Sequence, residues 1–194
     1  MTPIDNVRRF ASNNLLLDAS IRSIEEETGF FLLDRTTESE AIDETYYPQF
    51  DEKYREEAAA MAANFRILYC LENSIREFIR DSLEEYFNEN WWVEGVSPAI
   101  REEAEKIRQK EIDMGAIPRS DDLLDYTTFG QLANIIEQKK EAFEGRFTSL
   151  RAANRLLWQL GMLRGPIAHC KPLAEDEVLR LHLSLRDWFR ILGE

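Results

Sequence analysis

The stretch LRGPIAHCKPL, residues 163–173, carries the side chains of this chain that are best suited to chemistry. Arg164 and His169 stand five positions apart, with Gly165 and Pro166 between them. An imidazole changes protonation near neutral pH and can move protons, while a guanidinium stays charged and binds phosphate. The pair therefore suits phosphoryl transfer on RNA, in which the ribose 2′-hydroxyl attacks the adjacent phosphorus without help from a metal.

The spacing alone is common by chance, so an ordinary connection between two helices is the simpler interpretation. Gly165 is typical of a position just past a helix end, and Pro166 cannot continue a helix. We therefore predict a helix over about residues 149–163, with Arg164 at its end. His169 is expected to follow within one short turn, so that both side chains face the same solvent-accessible space.

The charge of the chain is acidic overall but unevenly distributed. The 194 residues hold 24 basic and 37 acidic side chains, and the net charge of −13 argues against sequence-indifferent coating of nucleic acid. Residues 139–171, in contrast, hold seven Lys or Arg and two Glu, which gives a net charge of +5. Within this region we predict that Arg151, Arg155 and Lys171 bind RNA, the alternative being a solvated helix face.

Cysteine usage and hydropathy indicate a cytoplasmic protein. Only Cys70 and Cys170 are present, and their wide separation predicts free thiols in a reducing compartment. Together with His169 and His182 they lack the spacing of zinc ligands, and we expect no metal and no other cofactor. No apolar run approaches the roughly 20 residues that span a bilayer, and the N-terminus does not read as a signal peptide, so we expect no membrane association.

Helical periodicity dominates the chain and predicts an all-α protein. The longest pattern covers about residues 51–88, where apolar side chains recur at three- and four-residue steps. Its predicted buried stripe comprises Phe65, Leu68, Leu71, Ile75, Phe78, Ile79, Leu83, Tyr86 and Phe87. After a break at WWVEGVSP, further helices are predicted over residues 98–113, from a cap at Thr127 or Thr128 onward, and over about residues 174–192.

The N-terminal residues differ from the remainder of the chain. Residues 1–53 contain a short helical stretch, a break at Gly29 and the apolar segment FFLLD, which fits a brief strand or an extended arm. We predict that they form an appendage to one helical domain over residues 54–194.

An all-helical bundle with a long early helix and a late LRGPIAH before the last helix resembles the HEPN superfamily, named for higher eukaryotes and prokaryotes nucleotide-binding. The stretch YCLENSIREFIRDSLEEYF is similar to the first core helix of that family. LLDYTTFGQLANII is similar to the middle helix of one branch, which also occurs beside PIN-type nucleases in RNA quality control and in bacterial toxin or phage-defence operons. The likeness covers about residues 54–193.

The resemblance implies a HEPN-like helical bundle whose R-x(4–6)-H motif falls on Arg164 and His169 as the catalytic pair. It also implies a homodimer in which the two motifs meet in one composite cleft. The family usually has a polar residue after the arginine, where this chain has Gly165 and so lacks a possible hydrogen-bond partner. Lys171 replaces a tyrosine that is modified in one toxin branch, so such inactivation is not expected.

Three functional hypotheses follow. The first is a metal-independent endoribonuclease that serves as a bacterial toxin or phage-defence effector, with an antitoxin or defence-operon protein as its partner. The second is a catalytically inactive HEPN module that binds RNA, a nucleotide or a protein partner. The third is an acidic interaction protein in which the motif only connects two helices. Glu72 and Asn73 lie near the stripe of the long helix, where they either face the cleft and support the catalytic pair or merely border the stripe.

Overall fold

The computed structural model describes residues 46–193, and helices are the regular elements found among them. The chain divides into two compact units, Met1–Asp51 and Glu52–Glu194. The described part of the first unit is a 3-10 turn at Tyr47–Gln49. The all-α prediction is confirmed. The predicted appendage falls almost entirely outside the described residues, and its boundary stays a prediction.

The second unit is built from α-helices joined by short turns. In chain order the helices are α1 (Glu52–Phe87), α2 (Trp91–Gly95), α3 (Pro98–Asp113), α4 (Phe129–Gln138), α5 (Leu150–Ala168) and α6 (Glu175–Leu192). The 3-10 turns between them are Asn88–Asn90, Leu123–Tyr126 and Lys140–Phe143. No helix within residues 46–193 has an apolar stretch long enough to cross a membrane.

Helix α1 is the spine of the unit, and its bounds agree with the predicted pattern to within one residue. Its buried apolar residues are Leu68, Leu71, Ile75, Ile79 and Leu83, which recur at three- and four-residue steps on one face. The prediction is wrong at Phe65 and Tyr86, which are each 52% exposed. Phe65 lines an open cleft, so the buried stripe is narrower than the apolar pattern indicates.

Trp188 of α6 anchors the last helix to the spine. Its side chain is fully buried, and its indole N–H donates a hydrogen bond to Ser74 Oγ at 3.3 Å. The ring packs edge-on against Phe78 at a centroid distance of 5.6 Å and against Phe147 at 6.1 Å. Aromatic contacts of this kind add to the free energy gained from burial, so α6 is held firmly against α1.

The connections between helices differ in part from the prediction. WWVEGVSP, predicted as a break, contains the short helix α2, whose Trp91 and Trp92 pack edge-on and lie partly buried against the core. At α4 the cap is Thr128, which accepts a hydrogen bond from the Gln131 N–H, while the Gln131 side chain accepts one from the Thr128 N–H. This reciprocal capping box fixes where α4 begins.

The predicted end of α5 is wrong. The helix continues through Gly165 and Pro166 and ends at Ala168, about one turn later than the Gly-Pro dipeptide indicates. Proline in a helix lacks the N–H that would bond the carbonyl four residues earlier, and its ring crowds the preceding residue. Because Gly165 has no Cβ, this crowding is smallest there. Burial of Leu163 and packing of Ile167 against the core favour continuation.

Replacing Trp188 with alanine should lower the free energy of unfolding by about 3–5 kcal/mol, since it removes a fully buried ring and leaves a cavity. Chemical denaturation followed by circular dichroism measures the change. Trp158→Ala is the matched control, because Trp158 is 54% exposed and its loss should cost less than about half as much. Equal losses in the two variants would contradict the assignment of Trp188 as the anchor.

Candidate functional site

A cleft of about 1180 Å³ opens between α1, α5 and the segment of residues 119–130. It is lined by Arg164 from α5 and by Glu72 and Asn73 from α1. The structure therefore brings together three of the residues predicted from the sequence. The cleft wall also carries large apolar side chains, several of them exposed to solvent.

Helix α5 has one buried face and one exposed face, which we call the outer ridge. The outer ridge comprises Arg151, Arg155, Trp158, Met162 and His169, all of them exposed. A helix turns about 100° per residue, so these positions fall within a sector of about 60° around the axis. The ridge combines cationic, aromatic and imidazole side chains on one solvent-facing strip.

Arg164 and His169 point in different directions from α5 within one chain. Five helical positions correspond to a rotation of about 140°, and only Arg164 of the two is among the described residues that line the cleft. The turn that was expected to bring both side chains into one solvent space is replaced by continuous helix. In a single chain His169 therefore lies outside the cleft that Arg164 lines, on the ridge whose Trp158 and Met162 border that cleft.

The end of α5 is closed by a backbone motif centred on His169, the C-cap residue. The Lys171 N–H donates to the Pro166 carbonyl at 2.9 Å, and the Cys170 N–H donates to the Ile167 carbonyl at 3.1 Å. Cys170 has a φ of 53°, the left-handed conformation that this Schellman arrangement requires and that usually falls on glycine. The motif fixes the backbone at His169, whose imidazole makes no hydrogen bond within residues 46–193.

The basic residues of the 139–171 region fall into two groups. Three of them are engaged: Lys140 pairs with Glu137, Arg146 pairs with Glu85, and Lys139 lies over the Phe87 ring. The others are Arg151, Arg155, Arg164 and Lys171, which are exposed and form no ion pair with any carboxylate of the described chain. The four cations predicted to act on RNA are thus the ones in this region that make neither an ion pair nor a cation–π contact with a described neighbour.

The wall opposite α5 is held by an ion-pair network around Arg76. Its guanidinium donates to the Glu72 carboxylate and to the Thr127 carbonyl, the latter at 3.0 Å, and its Nε lies 4.0 Å from Asp125. One turn along α1, Arg80 pairs with Asp122 at 2.7 Å. These links fasten the segment before α4 to the spine and so set the width of the cleft.

Glu72 and Asn73 lie in the cleft wall but are bound to their own helix. The Glu72 carboxylate is neutralised by Arg76, and the Asn73 side-chain amide donates to the Tyr69 carbonyl at 2.8 Å. Neither side chain contacts Arg164 through a described hydrogen bond. Their role as supports of the catalytic pair stays a prediction.

Arg119 also lines the cleft, and sequence reasoning missed it because it lies in an aperiodic loop. Its Nε donates to the Glu111 carboxylate at 2.7 Å, and its guanidinium lies 4.9 Å from the centre of the Tyr126 ring. The pKa of Glu111 is lowered, chiefly by the hydrogen bond from the Arg119 side chain. In the sequence, the one indication of a charged cluster at this loop was the arginine close to two aspartates in PRSDD, residues 118–122.

The described residues offer no obvious place for a metal. Among residues 46–193, no three His, Cys, Asp or Glu side chains are grouped so that they could hold an ion. Cys70 and Cys170 are both exposed and free. His182, on α6, is also exposed.

The all-helical bundle with R-x4-H at the end of its penultimate helix agrees with the resemblance to HEPN domains. A sequence model of the family described as Swt1-like HEPN matches residues 66–193, well over half of the chain. The chain therefore belongs to the Swt1-like HEPN family, which confirms the predicted membership of the HEPN superfamily. The match begins 12 residues later than the predicted likeness over residues 54–193. Comparison with curated proteins and with solved structures gives no match.

Replacing Arg76 with alanine should lower the free energy of unfolding by about 2 kcal/mol, because Glu72 and Asp125 lose their shared cation. We expect less than the cost of breaking a fully buried pair, since the two carboxylates are 19% and 29% exposed. Urea denaturation measures the change. Arg190→Ala, which breaks an exposed ion pair on α6, is the control and should cost less than about 1 kcal/mol. Equal effects would show that the network does not hold the wall.

Proposed function

We propose that this chain is a metal-independent endoribonuclease in which Arg164 and His169 perform the chemistry. The observation that carries the proposal is the presence of these two exposed, uncommitted side chains at the end of α5 in a Swt1-like HEPN chain. Family membership alone suggests ribonuclease or nucleotide-binding activity. The residue types favour the ribonuclease.

In the proposed reaction His169 removes the proton of a ribose 2′-hydroxyl, whose oxygen attacks the adjacent phosphorus. The bond to the 5′-oxygen of the next nucleotide breaks, and a protonated imidazole supplies the proton that this leaving oxygen needs. Arg164 stabilises the negative charge that grows on the phosphate oxygens. The products are a 2′,3′-cyclic phosphate and a 5′-hydroxyl, and DNA is not cleaved because it lacks the attacking group.

We further propose a homodimer with a composite active site. Arg164 and His169 diverge by about 140° within one chain, so one scissile phosphate meets both groups more readily if two copies contribute. A second copy also supplies a second imidazole, which allows one histidine to act as the base and the other as the acid. Leu179 and Leu183 of α6 are 60% and 45% exposed and offer apolar surface for such a contact.

The biological setting is proposed from surface charge and from the family resemblance. Arg151, Arg155 and Lys171 carry unneutralised charge beside the motif, which suits contacts to RNA phosphates. We propose a cytoplasmic toxin or phage-defence effector controlled by an antitoxin or operon partner, as in the branch that the sequence resembles. A catalytically inactive module that binds RNA, a nucleotide or a protein is the second candidate, favoured by the missing side chain at Gly165.

Purified protein incubated with a labelled RNA pool in EDTA should release fragments with 2′,3′-cyclic phosphate ends. His169→Ala and Arg164→Ala should each lower the rate at least about 100-fold, since each removes a group that acts in the transition state. His182→Ala is the control. It removes the other histidine of the chain, which takes no part in the proposed reaction, so this variant should retain full activity. Equal cleavage by all variants would reject the proposal.

A solution mass equal to one 22.7 kDa chain would count against the composite site.

Gly165→Asn should raise the cleavage rate about tenfold, the effect of one hydrogen bond to a charged group. Apart from its chain neighbours and its own helix backbone, a Cβ at this position would meet no atom within 4 Å, so the amide has room on its outer side. Any crowding of the new Cβ by Pro166 is the same in Gly165→Ala. Gly165→Ala is the matched control, since it adds the Cβ without the amide and should leave the rate within about twofold. If both variants have the wild-type rate, the position does not face the reacting groups.

A further inference from the structure

Trp158 is unusual among the tryptophans of the chain. It is 54% exposed, whereas Trp188 is fully buried and Trp91 and Trp92 pack against the core. Its six-membered ring lies against α4 at Gly130, where an added Cβ would come within 3.1 Å of the ring atom Cζ3. The ring is therefore packed closely against α4 at Gly130 while about half of the side chain stays open to solvent.

Several large apolar side chains near Trp158 are exposed to solvent. Met162, one turn later on the outer ridge, is 79% exposed. Phe65 and Tyr69 of α1 line the same cleft and are 52% and 58% exposed. Exposed apolar side chains that gather around one concavity mark a binding surface.

Cations follow this apolar surface along the same ridge. Arg155 and Arg151 lie one and two turns before Trp158, and neither is paired with a carboxylate of the described chain. The Glu137 carboxylate on neighbouring α4 is already engaged, at 2.6 Å by Lys140 and at 3.0 Å by Asn154. Positive charge next to an aromatic platform is the combination that binds single-stranded nucleic acid, through phosphates and bases respectively.

We infer that Trp158 is a base-stacking subsite for unpaired RNA, which the cleavage chemistry itself does not require. The inference rests on the proposed ribonuclease function and adds how that enzyme selects its substrate. Eleven helical residues separate Trp158 from His169, about 16 Å along α5, so the stacked base lies a few nucleotides from the scissile phosphate. A duplex keeps its bases stacked internally, so the subsite selects single strands.

A second copy of the chain is a less suitable occupant of this surface. In a two-fold contact centred on Trp158, each Arg155 would meet Arg155 of the other copy if the α5 helices run parallel, or its Met162 if they run antiparallel. Neither arrangement supplies an acidic partner for the guanidinium. RNA carries negative phosphates, which can pair with the arginines, and flat bases, which can stack on Trp158. The observed pattern of charge and aromatic surface therefore favours nucleic acid.

The test uses the full chain and a 12-nucleotide RNA carrying 2′-O-methyl groups, which cannot undergo 2′-hydroxyl attack. Fluorescence anisotropy gives its Kd for wild type, Trp158→Ala, Trp158→Phe and the control Tyr86→Ala, which removes an equally accessible aromatic residue from outside the cleft. Trp158→Ala should raise the Kd roughly 5- to 150-fold. Trp158→Phe, which keeps an aromatic face, and Tyr86→Ala should stay within about threefold of wild type.

A second probe separates stacking from general binding. An abasic oligonucleotide of the same length has phosphates without bases, so wild type and Trp158→Ala should bind it with equal Kd. An unchanged Kd of Trp158→Ala for the intact RNA overturns the inference, as does an equal loss on the abasic strand. A variant that loses dimer mass while its RNA affinity is unchanged also overturns it, since the ring then serves self-association.

The inference and the proposed function can fail separately. Cleavage that depends on His169, combined with a Trp158→Ala variant of wild-type affinity, rejects the subsite and leaves the ribonuclease standing. RNA affinity that depends on Trp158 without any cleavage by the wild type supports the subsite on a module that only binds RNA.

Discussion

Burial of one face of α5 is the constraint on which the remaining structure depends. Leu156, Leu157, Leu160 and Leu163 are buried, and α5 packs against α1, α4 and α6 through this side. A helix that commits one face to the core must present its other face to water. The outer ridge and the cleft-facing Arg164 are therefore positioned by leucines that take no part in chemistry. Any change that rotates α5 would move Arg164 and the outer ridge together, relative to Glu72 and Asn73 on α1.

Much of the fold was predictable from periodicity, because long amphipathic helices leave a regular pattern. The limits of α1 and α6 agree with prediction to within one residue, and those of α3 agree fully. The end of α5 could not be predicted in this way. Gly165 and Pro166 are local signals for termination, but packing of the helix on both sides of them outweighs the local preference, as tertiary context often does.

The candidate site was predictable by residue type more than by geometry. Arg164, Glu72 and Asn73 do line one cleft, although about 90 positions separate the first from the other two. The Arg76 network was not predictable, since its bond to Thr127 joins residues 51 positions apart through a segment without periodicity. Phe65 was assigned to the buried stripe because the sequence pattern is the same for an apolar residue covered by the core and for one that lines an open cleft.

The capped end of α5 has a consequence for how the imidazole of His169 would be used. The Schellman bonds hold the backbone on either side of this residue, yet within residues 46–193 neither ring nitrogen has a hydrogen-bond partner. A general base works best in one tautomer and one rotamer, and these are normally fixed by a neighbouring acceptor. In the proposed enzyme, the second subunit or the substrate would have to supply that acceptor. Catalytic competence of His169 would then arise only when a second subunit or the substrate is bound.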